Sequence, residues 1–297
     1  MVDRVGHVGI TVQDLDRSIQ HAEVIMGLRL VERHDDVAYL TCNSRHHELV
    51  LTQGATTGCD HLAFETFDPQ GLDRLRERLE EEGLPVVADA PIERGVADAV
   101  RFVAPGGFVI EVFHGMDTGE PPHYDAVGAR PRKFEHITVK SSHKDELEHV
   151  LTDVLGLRVS DRADDAISWL RVSDEHHGVS VIRADVDQLH HYAWQLDAFG
   201  ELARVGDQLM LHGKTLLWGP GHHGIGDNYF CYFLDDDGVI VEYSAAIQRI
   251  EDDRAHLPRT WPDEPLSVNR WGNPPPPIEF VDGGTPLTGA PAIVGAR

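Results

Sequence analysis

The chain is poor in cysteine, has no long apolar run and carries few positive charges. Its 297 residues include three cysteines, none with CxxC spacing, which argues against a disulfide framework or a thiolate zinc site. No stretch reaches the roughly 18 consecutive apolar residues of a membrane-spanning helix, and no apolar segment follows basic residues at the N-terminus. We therefore expect a cytoplasmic protein in a reducing compartment, without a membrane partner.

Acidic residues outnumber basic ones, with 50 Asp and Glu against 26 Lys and Arg, for a formal net charge of −24. They are spread along the chain rather than gathered in one tail. Such a surface repels phosphate groups, which argues against nucleic acid as a partner. With 41% hydrophobic residues, a chain of this length can bury a sizeable core in about two domains.

Two histidines and a glutamate recur in both halves of the chain, each in a short apolar run. The two sets, in matching order, are His7, His61 and Glu111, and His136, His191 and Glu242. The offsets between counterparts are 129, 130 and 131 residues. Residues 26–36 also align with residues 155–165 at an offset of 129. The chain therefore contains a duplicated domain, and the duplicated residues predict a metal site in a repeated module.

Each half divides again into two units of one pattern. Every unit opens with a short strand that carries a histidine, continues into an amphipathic helix and ends in short β-rich runs. Apolar residues at helical spacing predict helices over 70–83 and 143–156, and the second ends at Gly156, a position typical of a left-handed cap. Apolar runs predict strands at positions 136–140, 179–183, 229–234 and 239–243. The predicted fold class is α+β, with four βαβββ modules.

Composition divides the chain into four segments. Two domains are predicted at 1–117 and 133–250, joined by a Gly- and Pro-containing linker at 118–132. Residues 251–297 form a Pro/Gly-rich C-terminal arm. We expect the arm to be extended and to lie over the second domain, with a disordered extreme end, because it offers little apolar surface to bury.

Residues 219–242 form the most specific motif, which begins Gly-Pro-Gly-His-His, continues through Asn-Tyr-Phe-Cys-Tyr and ends at a glutamate. With this motif, and with Trp-Gly-Asn-Pro at 271–274, the chain resembles the type I extradiol ring-cleaving dioxygenases of the vicinal oxygen chelate superfamily. Within this family, the chain resembles the homoprotocatechuate and dihydroxybiphenyl enzymes. The resemblance covers nearly the whole chain, although Cys231 and Asp236 depart from the family pattern at packing and turn positions. It implies two domains, each an open mixed sheet that cups a metal site.

His136, His191 and Glu242 are the predicted metal ligands. Two neutral imidazoles and one carboxylate leave about three positions open on an octahedral metal, as enzymes that bind substrate and O2 together on non-haem Fe(II) require. A zinc hydrolase with these ligands would need only one open position. We expect Fe(II), and Mn(II) suits the same ligands. Strand alternation favours His191 over His190 as the ligand and predicts that His190 points to the other face.

The resemblance implies catalytic roles for three more residues. His177 matches the acid–base histidine beside the O2 site, and a histidine titrates near neutral pH. His223 and Tyr232 match the residues that hydrogen-bond the substrate oxygens. A structural histidine is the alternative for His177, because His46 and His47 hold the corresponding place in the first half. A core aromatic is the alternative for Tyr232.

The first-half set, His7, His61 and Glu111, has two interpretations: a second metal site, or a relic polar cluster. The positions that match His223 and Tyr232 fall near Gly95 and Arg101, which offer no comparable support. Buried together without a metal, the three residues would need hydrogen-bond partners. We expect the first domain to be non-catalytic.

The implied reaction is extradiol (meta) ring cleavage of a catechol with O2. Relatives that take a carboxylated catechol have arginines where this chain has Trp218 and residues 267–268, so we expect no carboxylate clamp. The predicted substrate is an uncharged alkyl-, aryl- or polycyclic catechol, in a pocket that includes Thr138, Trp218, His222 and Arg270. An exposed loop position is the alternative for His222.

Two other functional classes remain open within the same superfamily. One is a metal-dependent isomerase, and the other is a non-enzymatic protein that sequesters a small molecule such as a drug. The family resemblance also predicts a homo-oligomer, either a dimer or a tetramer.

Overall fold

The fold consists of two mixed β-sheets, one from each half of the chain. The computed structural model describes residues 1–121, 128–262, 264–272 and 274–289. Positions 122–127 of the predicted linker and 290–297 of the predicted arm, including its expected disordered end, lie outside the described residues. No helix in the described ranges is long and apolar enough to cross a membrane.

The first half contains two βαβββ modules. The first module comprises β1 (Arg4–Val12), α1 (Leu15–Val24), β2 (Arg29–His34), β3 (Val37–Thr41) and β4 (Leu49–Gln53). The second comprises β5 (Gly58–Glu65), α2 (Gln70–Glu81), β6 (Val86–Ala88), β7 (Val96–Val103) and β8 (Val109–Met116). Their eight strands form one sheet in the order β2-β3-β4-β1-β5-β8-β7-β6.

The second half repeats this pattern and adds an arm. The third module comprises β9 (Lys133–Ser141), α3 (Lys144–His149), β10 (Arg158–Ala163), β11 (Ile167–Arg171) and β12 (Val179–Arg183). The fourth comprises β13 (Gln188–Leu196), α4 (Leu202–Leu211), β14 (Trp218–His222), β15 (Tyr229–Leu234) and β16 (Ile240–Ala245). The arm contributes β17 (Arg259–Trp261), α5 (Pro265–Val268), α6 (Ile278–Val281) and β18 (Thr285–Pro286).

Strand pairing follows one rule in all four modules. The first strand of each module pairs in parallel with its last strand, and the first strands of the two modules in a half pair antiparallel. The central strands of the second sheet therefore run β16-β13-β9-β12. The predicted α+β class and the four βαβββ modules are confirmed.

The helix predicted over 143–156 changes character along its length. It begins as α3 and continues as a π-helical turn at Val150–Val154, before Gly156 closes it with a φ of 85°. Within it, the Thr152 hydroxyl donates to the carbonyl of Glu148 at 3.0 Å. A side-chain hydroxyl bonded to a carbonyl one turn back favours such a local widening. Periodicity alone does not reveal it, because the apolar stripe is kept.

The arm is more structured than the extended chain predicted from its composition. Two prolines fix the backbone ahead of its helices, with Pro265 opening α5 and Pro277 preceding α6. Strand β17 pairs in parallel with β10, and β18 pairs antiparallel with β13. The arm then reaches the first half, where the Thr288 amide donates to the Cys59 carbonyl at 3.0 Å. It thus contacts both halves of the chain.

Candidate metal centre

Three neighbouring strands in the middle of the second sheet bring together His136, His191 and Glu242. His136 lies on β9, His191 on β13 and Glu242 on β16, and β13 pairs with both of the others. The Nε2 atoms of His136 and His191 lie 3.0 and 3.1 Å from Oε2 of Glu242. All three side chains are buried, and one donor atom from each lies within 4.8 Å of the others. This donor set can hold one divalent metal ion.

The outer nitrogens of both histidines have their own partners. Nδ1 of His136 lies 3.0 Å from Oε2 of Glu135, so its N–H donates a hydrogen bond to the carboxylate. Nδ1 of His191 lies 2.6 Å from Nδ1 of His190, and Nε2 of His190 donates to the Phe280 carbonyl at 2.9 Å. His190 must then accept from His191. In the neutral form of both rings Nδ1 therefore carries the hydrogen, which leaves Nε2 as the nitrogen that can coordinate a metal.

The prediction that His190 points to the other face is wrong. The pairing of β13 with β9 skips His190 between Leu189 and His191, which is the register of a β-bulge. A bulge re-aims the side chains around it, so simple alternation does not hold across this position. His190 and His191 consequently both line the same cavity.

The electrostatics of the site suit a cation. Burial disfavours the Glu242 anion, but the neighbouring His136 and His191 nevertheless hold the pKa of Glu242 well below its usual range. Burial alone would lower the pKa of His136, yet Glu242 and Glu135 raise that pKa to about 10. Without a metal, the site therefore retains a proton between buried carboxylates. Among the described residues that line the cavity there is no lysine or arginine, so a divalent ion meets no competing cation.

The cavity above the three candidate ligands has mainly apolar walls. They are formed by Ile167, Trp169, Ile182, Trp218, Ile225, Val268 and Phe280. The Trp218 ring stacks on Tyr232 with centroids 5.6 Å apart, and its indole N–H donates to the Pro274 carbonyl at 3.0 Å. Thr138 also lines the cavity. An uncharged aromatic ring would find apolar contacts on several sides.

His223 and Tyr232 form a hydrogen-bonded pair at the edge of this site. Nδ1 of His223 donates to the Val268 carbonyl at 2.6 Å, so its Nε2 accepts from the Tyr232 hydroxyl at 3.0 Å. Burial lowers the pKa of His223 to about 4 and raises the pKa of Tyr232 well above its usual value. Both groups are therefore neutral hydrogen-bonding groups close to the candidate ligands, with His223 Nε2 lying 3.9 Å from Oε1 of Glu242.

His177 precedes β12, on the other side of the three ligand strands from Tyr232 on β15, and also lines the cavity. Its ring centroid lies 4.6 Å from that of His136. Burial, followed by the proximity of His136 and His176, keeps the pKa of His177 well below its ordinary value. The ring is therefore neutral, and a neutral imidazole has one unprotonated nitrogen.

His222 and Arg270 were expected in the substrate pocket, but neither belongs to its described lining. Nε2 of His222 lies 3.1 Å from Oδ1 of Asp227, and Arg270 NH1 lies 2.6 Å from the same oxygen. The His222 ring stacks on Tyr229 at 4.3 Å. Because neighbouring residues of an extended chain point to opposite sides, the inward position of His223 turns His222 outward.

Several residues of the site escaped the sequence analysis. The Asn228 amide donates to Ser244 Oγ at 3.0 Å and lies 3.4 Å from Oε1 of Glu242. Asn228 lies inside the 219–242 motif, which could have identified it, and Glu135 directly precedes His136, as Asp60 precedes His61 in the first half. Phe280 had no sequence signal, since it reaches the cavity only through the path of the arm.

The first half holds a different arrangement. His7 and His61 approach each other with Nε2 atoms 2.9 Å apart, but the compact donor set includes Glu93 rather than the predicted Glu111. The guanidinium of Arg101 lies among these groups: its Nε is 2.6 Å from Glu111, its NH2 is 3.2 Å from His61 Nε2, and it forms an ion pair with Glu93. Arg101 thus already provides a buried positive charge, which favours a polar cluster over a second metal.

Comparisons with known proteins agree with the duplication. The model of the Glyoxalase/Bleomycin resistance protein/Dioxygenase superfamily matches residues 4–112 and again residues 133–243. A manganese-dependent 2,3-dihydroxybiphenyl 1,2-dioxygenase from Geobacillus genomosp. 3 is 27% identical, over 79% of this chain and 82% of the relative. Metapyrocatechase 2 from Cupriavidus necator is 29% identical, over 74% of each chain.

Solved structures share the whole fold. The Mn(II)-bound glyoxalase from Novosphingobium aromaticivorans superimposes with a TM-score of 0.90 at 25% identity, over 100% of this chain and 99% of its own. Homoprotocatechuate 2,3-dioxygenase from Arthrobacter globiformis gives a TM-score of 0.88 at 22% identity, over 98% and 95% of the two chains. The similarity therefore extends over both halves and the arm.

Proposed function

Because the chain belongs to the Glyoxalase/Bleomycin resistance protein/Dioxygenase superfamily, we propose that it is an extradiol dioxygenase that cleaves a catechol with O2. The observation that carries this proposal is the meeting of His136, His191 and Glu242 in a cavity whose described lining has no basic side chain other than histidine. The metal would be Fe(II) or Mn(II), for which two imidazoles and a carboxylate with open positions are suitable ligands. When bound, it supplies the electron transfer between the diol and O2.

Tyr232 and His223 would position the diol. The Tyr232 hydroxyl and the His223 imidazole are neutral, buried and joined by a 3.0 Å hydrogen bond beside Glu242. A catechol oxygen near this pair can receive the hydroxyl hydrogen of Tyr232, whose present partner is only an imidazole nitrogen. Donors held rigidly in a dry site stabilise negative charge on such an oxygen more strongly than water does.

His177 would accept a proton from the substrate and later return it. Its neutral ring lies across the candidate ligands from Tyr232 and can accept the proton that a catechol hydroxyl releases on binding. The same nitrogen can return the proton when the ring-opened product forms, so the residue is regenerated in each turnover.

The substrate would be an uncharged alkyl, aryl or polycyclic catechol. Supporting this class are the apolar walls formed by Trp169, Trp218 and Phe280, and the location of Arg270 outside the described lining. A carboxylated catechol would lack a bidentate partner there and would lose solvation of its charge on entry.

Turnover with both metals and contrasting substrates tests this function. The protein is reconstituted with Fe(II) or Mn(II) without air, mixed with 2,3-dihydroxybiphenyl, 3-methylcatechol or homoprotocatechuate, and then exposed to O2. We expect O2 uptake and a yellow ring-opened product from the first two substrates. H191A should abolish both signals, whereas H61A, the matching change in the first half, should retain them. Metal binding without O2 uptake for any catechol would favour an isomerase or a binding protein instead.

The cellular setting and assembly are part of the same proposal. A cytoplasmic location is supported by the three cysteines, each buried and none in a disulfide. A dimer or tetramer remains the expectation from the family resemblance. Light scattering on the purified protein measures the assembly, and a monomer at working concentration would contradict it.

A further inference from the structure

We propose that Asp161 and His176 fix the proton position on His177, so that its Nδ1 is protonated and its Nε2 is left as the base facing the cavity. Asp161 and His176 would thus be positioning residues for the acid–base group. This inference rests on the proposed function for its catalytic consequence. The proton position itself can be measured without turnover.

The three side chains form a continuous hydrogen-bonded chain in the third module. Oδ2 of Asp161 lies 3.3 Å from Nε2 of His176. Nδ1 of His176 then lies 3.0 Å from Nδ1 of His177. His176 and Asp161 are buried, with exposed fractions of 0% and 3%, so water does not readily replace either contact.

With both histidine rings neutral, only one arrangement of protons satisfies every contact in this chain. The Asp161 carboxylate accepts, so Nε2 of His176 must carry the hydrogen that it donates. A neutral His176 then has an unprotonated Nδ1, and the 3.0 Å contact requires His177 Nδ1 to donate to it. A neutral His177 therefore keeps its remaining lone pair on Nε2. Because Nδ1 is engaged with His176, Nε2 is the nitrogen that this cavity-lining ring offers to a substrate.

The C-terminal arm keeps Asp161 in its accepting form. The Trp261 indole N–H donates to Oδ2 of Asp161 at 2.8 Å, and the Arg259 amide donates to Oδ1 at 2.8 Å. Both donors lie on β17, which pairs in parallel with the Asp161 strand. Burial alone would raise the pKa of Asp161, but the bonds from His176, Arg259 and Trp261 together lower it. The carboxylate is thus held ionised and correctly oriented.

The first half contains the same chain of contacts in residues Glu32, His46 and His47. Nε2 of His46 lies 3.3 Å from Glu32, and Nδ1 of His46 lies 2.9 Å from Nδ1 of His47. The geometry is therefore a property of the repeated module. Only the second-half copy ends at the candidate metal centre, because the first-half cluster contains the Arg101 guanidinium instead. The duplication supplies a matched control at His46.

Nitrogen NMR on metal-free protein tests the proton position directly. Long-range 1H–15N spectra distinguish protonated from unprotonated ring nitrogens, and the His177 signals are assigned by their loss in H177Q. Above neutral pH we expect protonated Nδ1 and unprotonated Nε2. H176N should keep this pattern, since its amide oxygen can accept from Nδ1, whereas H176F should shift the proton to Nε2. A wild-type protein with protonated Nε2 would overturn the proposal.

Kinetics on the metal-loaded enzyme test the consequence. Positioned acid–base groups contribute about 10²- to 10⁴-fold to rate, so H176F should lower kcat at least about tenfold with little change in KM. D161N should also lower kcat, because an amide cannot accept all three bonds. The loss should be smaller than in H176F, because the amide oxygen can still accept from His176. H176N should keep most of the kcat that H176F loses, and H46F should match the wild type.

The variants also separate a structural role from a positioning role. If H176F does not fold, D161N still reports, through its predicted mixture of His177 proton positions and its lowered kcat. Equal loss in H46F and H176F would show that the histidine pair serves the fold and would overturn the proposal. If the NMR pattern is as expected but the wild type and all variants are inactive, the result would count against the proposed function alone.

Discussion

Arg101 faces Glu111 across strands β7 and β8, as Tyr232 faces Glu242 across strands β15 and β16. The two pairs occupy corresponding places in the duplicated halves. In the first half the guanidinium bonds the carboxylate directly, with Nε 2.6 Å from Oε2. In the second half the facing hydroxyl is neutral, and Oε2 of the carboxylate lies against His136 and His191 instead. The residue that faces the glutamate is therefore a permanent cation in the first half and a neutral hydroxyl in the second.

We predict one metal ion per chain, and a reciprocal exchange should reverse the sites. Y232R places a guanidinium beside Glu242. It should abolish metal binding, because the tethered guanidinium supplies the positive charge in place of the metal ion. R101Y should allow a second ion at His7, His61 and a neighbouring glutamate. Metal content per chain, measured after reconstitution and gel filtration, checks both variants. Two ions in the wild type, or unaltered binding in Y232R, would show that Arg101 does not exclude metal.

Loss of the Tyr232 hydroxyl should slow the reaction without removing the metal. Y232F leaves the ring packing on Trp218 in place but removes the hydrogen bond to His223 and the donor for the substrate oxygen. Removing one such donor commonly costs about 10²- to 10³-fold in kcat. Steady-state kinetics with metal content as the control should therefore show a fall in kcat at normal metal occupancy. A fall explained entirely by lost metal would contradict the positioning role.

A cation introduced into the apolar wall should alter substrate preference. Val268 lies on the arm and lines the cavity. Among the described residues, that lining contains no lysine or arginine. V268R should raise kcat/KM for homoprotocatechuate relative to 3-methylcatechol by about tenfold or more, because a charge-assisted bond becomes available to the carboxylate. V268Q, of similar length but neutral, is the matched control. Equal changes for both variants would attribute the effect to size rather than charge.

The sequence predicted the modules, the fold class and a candidate set of metal ligands, because each depends on a repeated local pattern. The duplicated histidines stand on first strands, and first strands pair with each other in this fold. What could not be predicted depends on local irregularity or long-range packing. The bulge at His190 breaks strand alternation. Phe280, which lies 90 residues after His190 in the sequence, enters the cavity from the arm.

The first-half cluster illustrates the same limit. Arg101 was recognised as the residue in the tyrosine position, yet nothing in the sequence showed that its side chain would reach both Glu93 and Glu111. Glu93 comes from the loop before β7 and has no counterpart among the ligand-type residues of the duplication. Its contribution became evident only from the packing of that loop.

His21 should make the protein less stable below neutral pH. It lies on α1 in the first half, buried, with Nδ1 3.4 Å from Oδ1 of Asp236 in the second half. Burial lowers the pKa of His21 to about 4, and Asp236 offsets only part of that effect. In the unfolded chain a histidine has a pKa of about 6.5, so the unfolded state binds the proton first as pH falls. The contribution of neutral His21 to stability is therefore full above about pH 6.5 and is lost progressively towards pH 4.

The size of the effect follows from the same shift in pKa. A difference of roughly 2.5 pKa units corresponds to at most about 3.4 kcal/mol in the free energy of unfolding. H21Q removes the titration, so its unfolding free energy should fall less between about pH 7 and pH 4.5 than that of the wild type. H34Q changes an exposed histidine and should follow the wild type. Urea unfolding at both pH values measures the difference, and parallel losses in H21Q and the wild type would exclude His21 as the acid-sensitive contact between the halves.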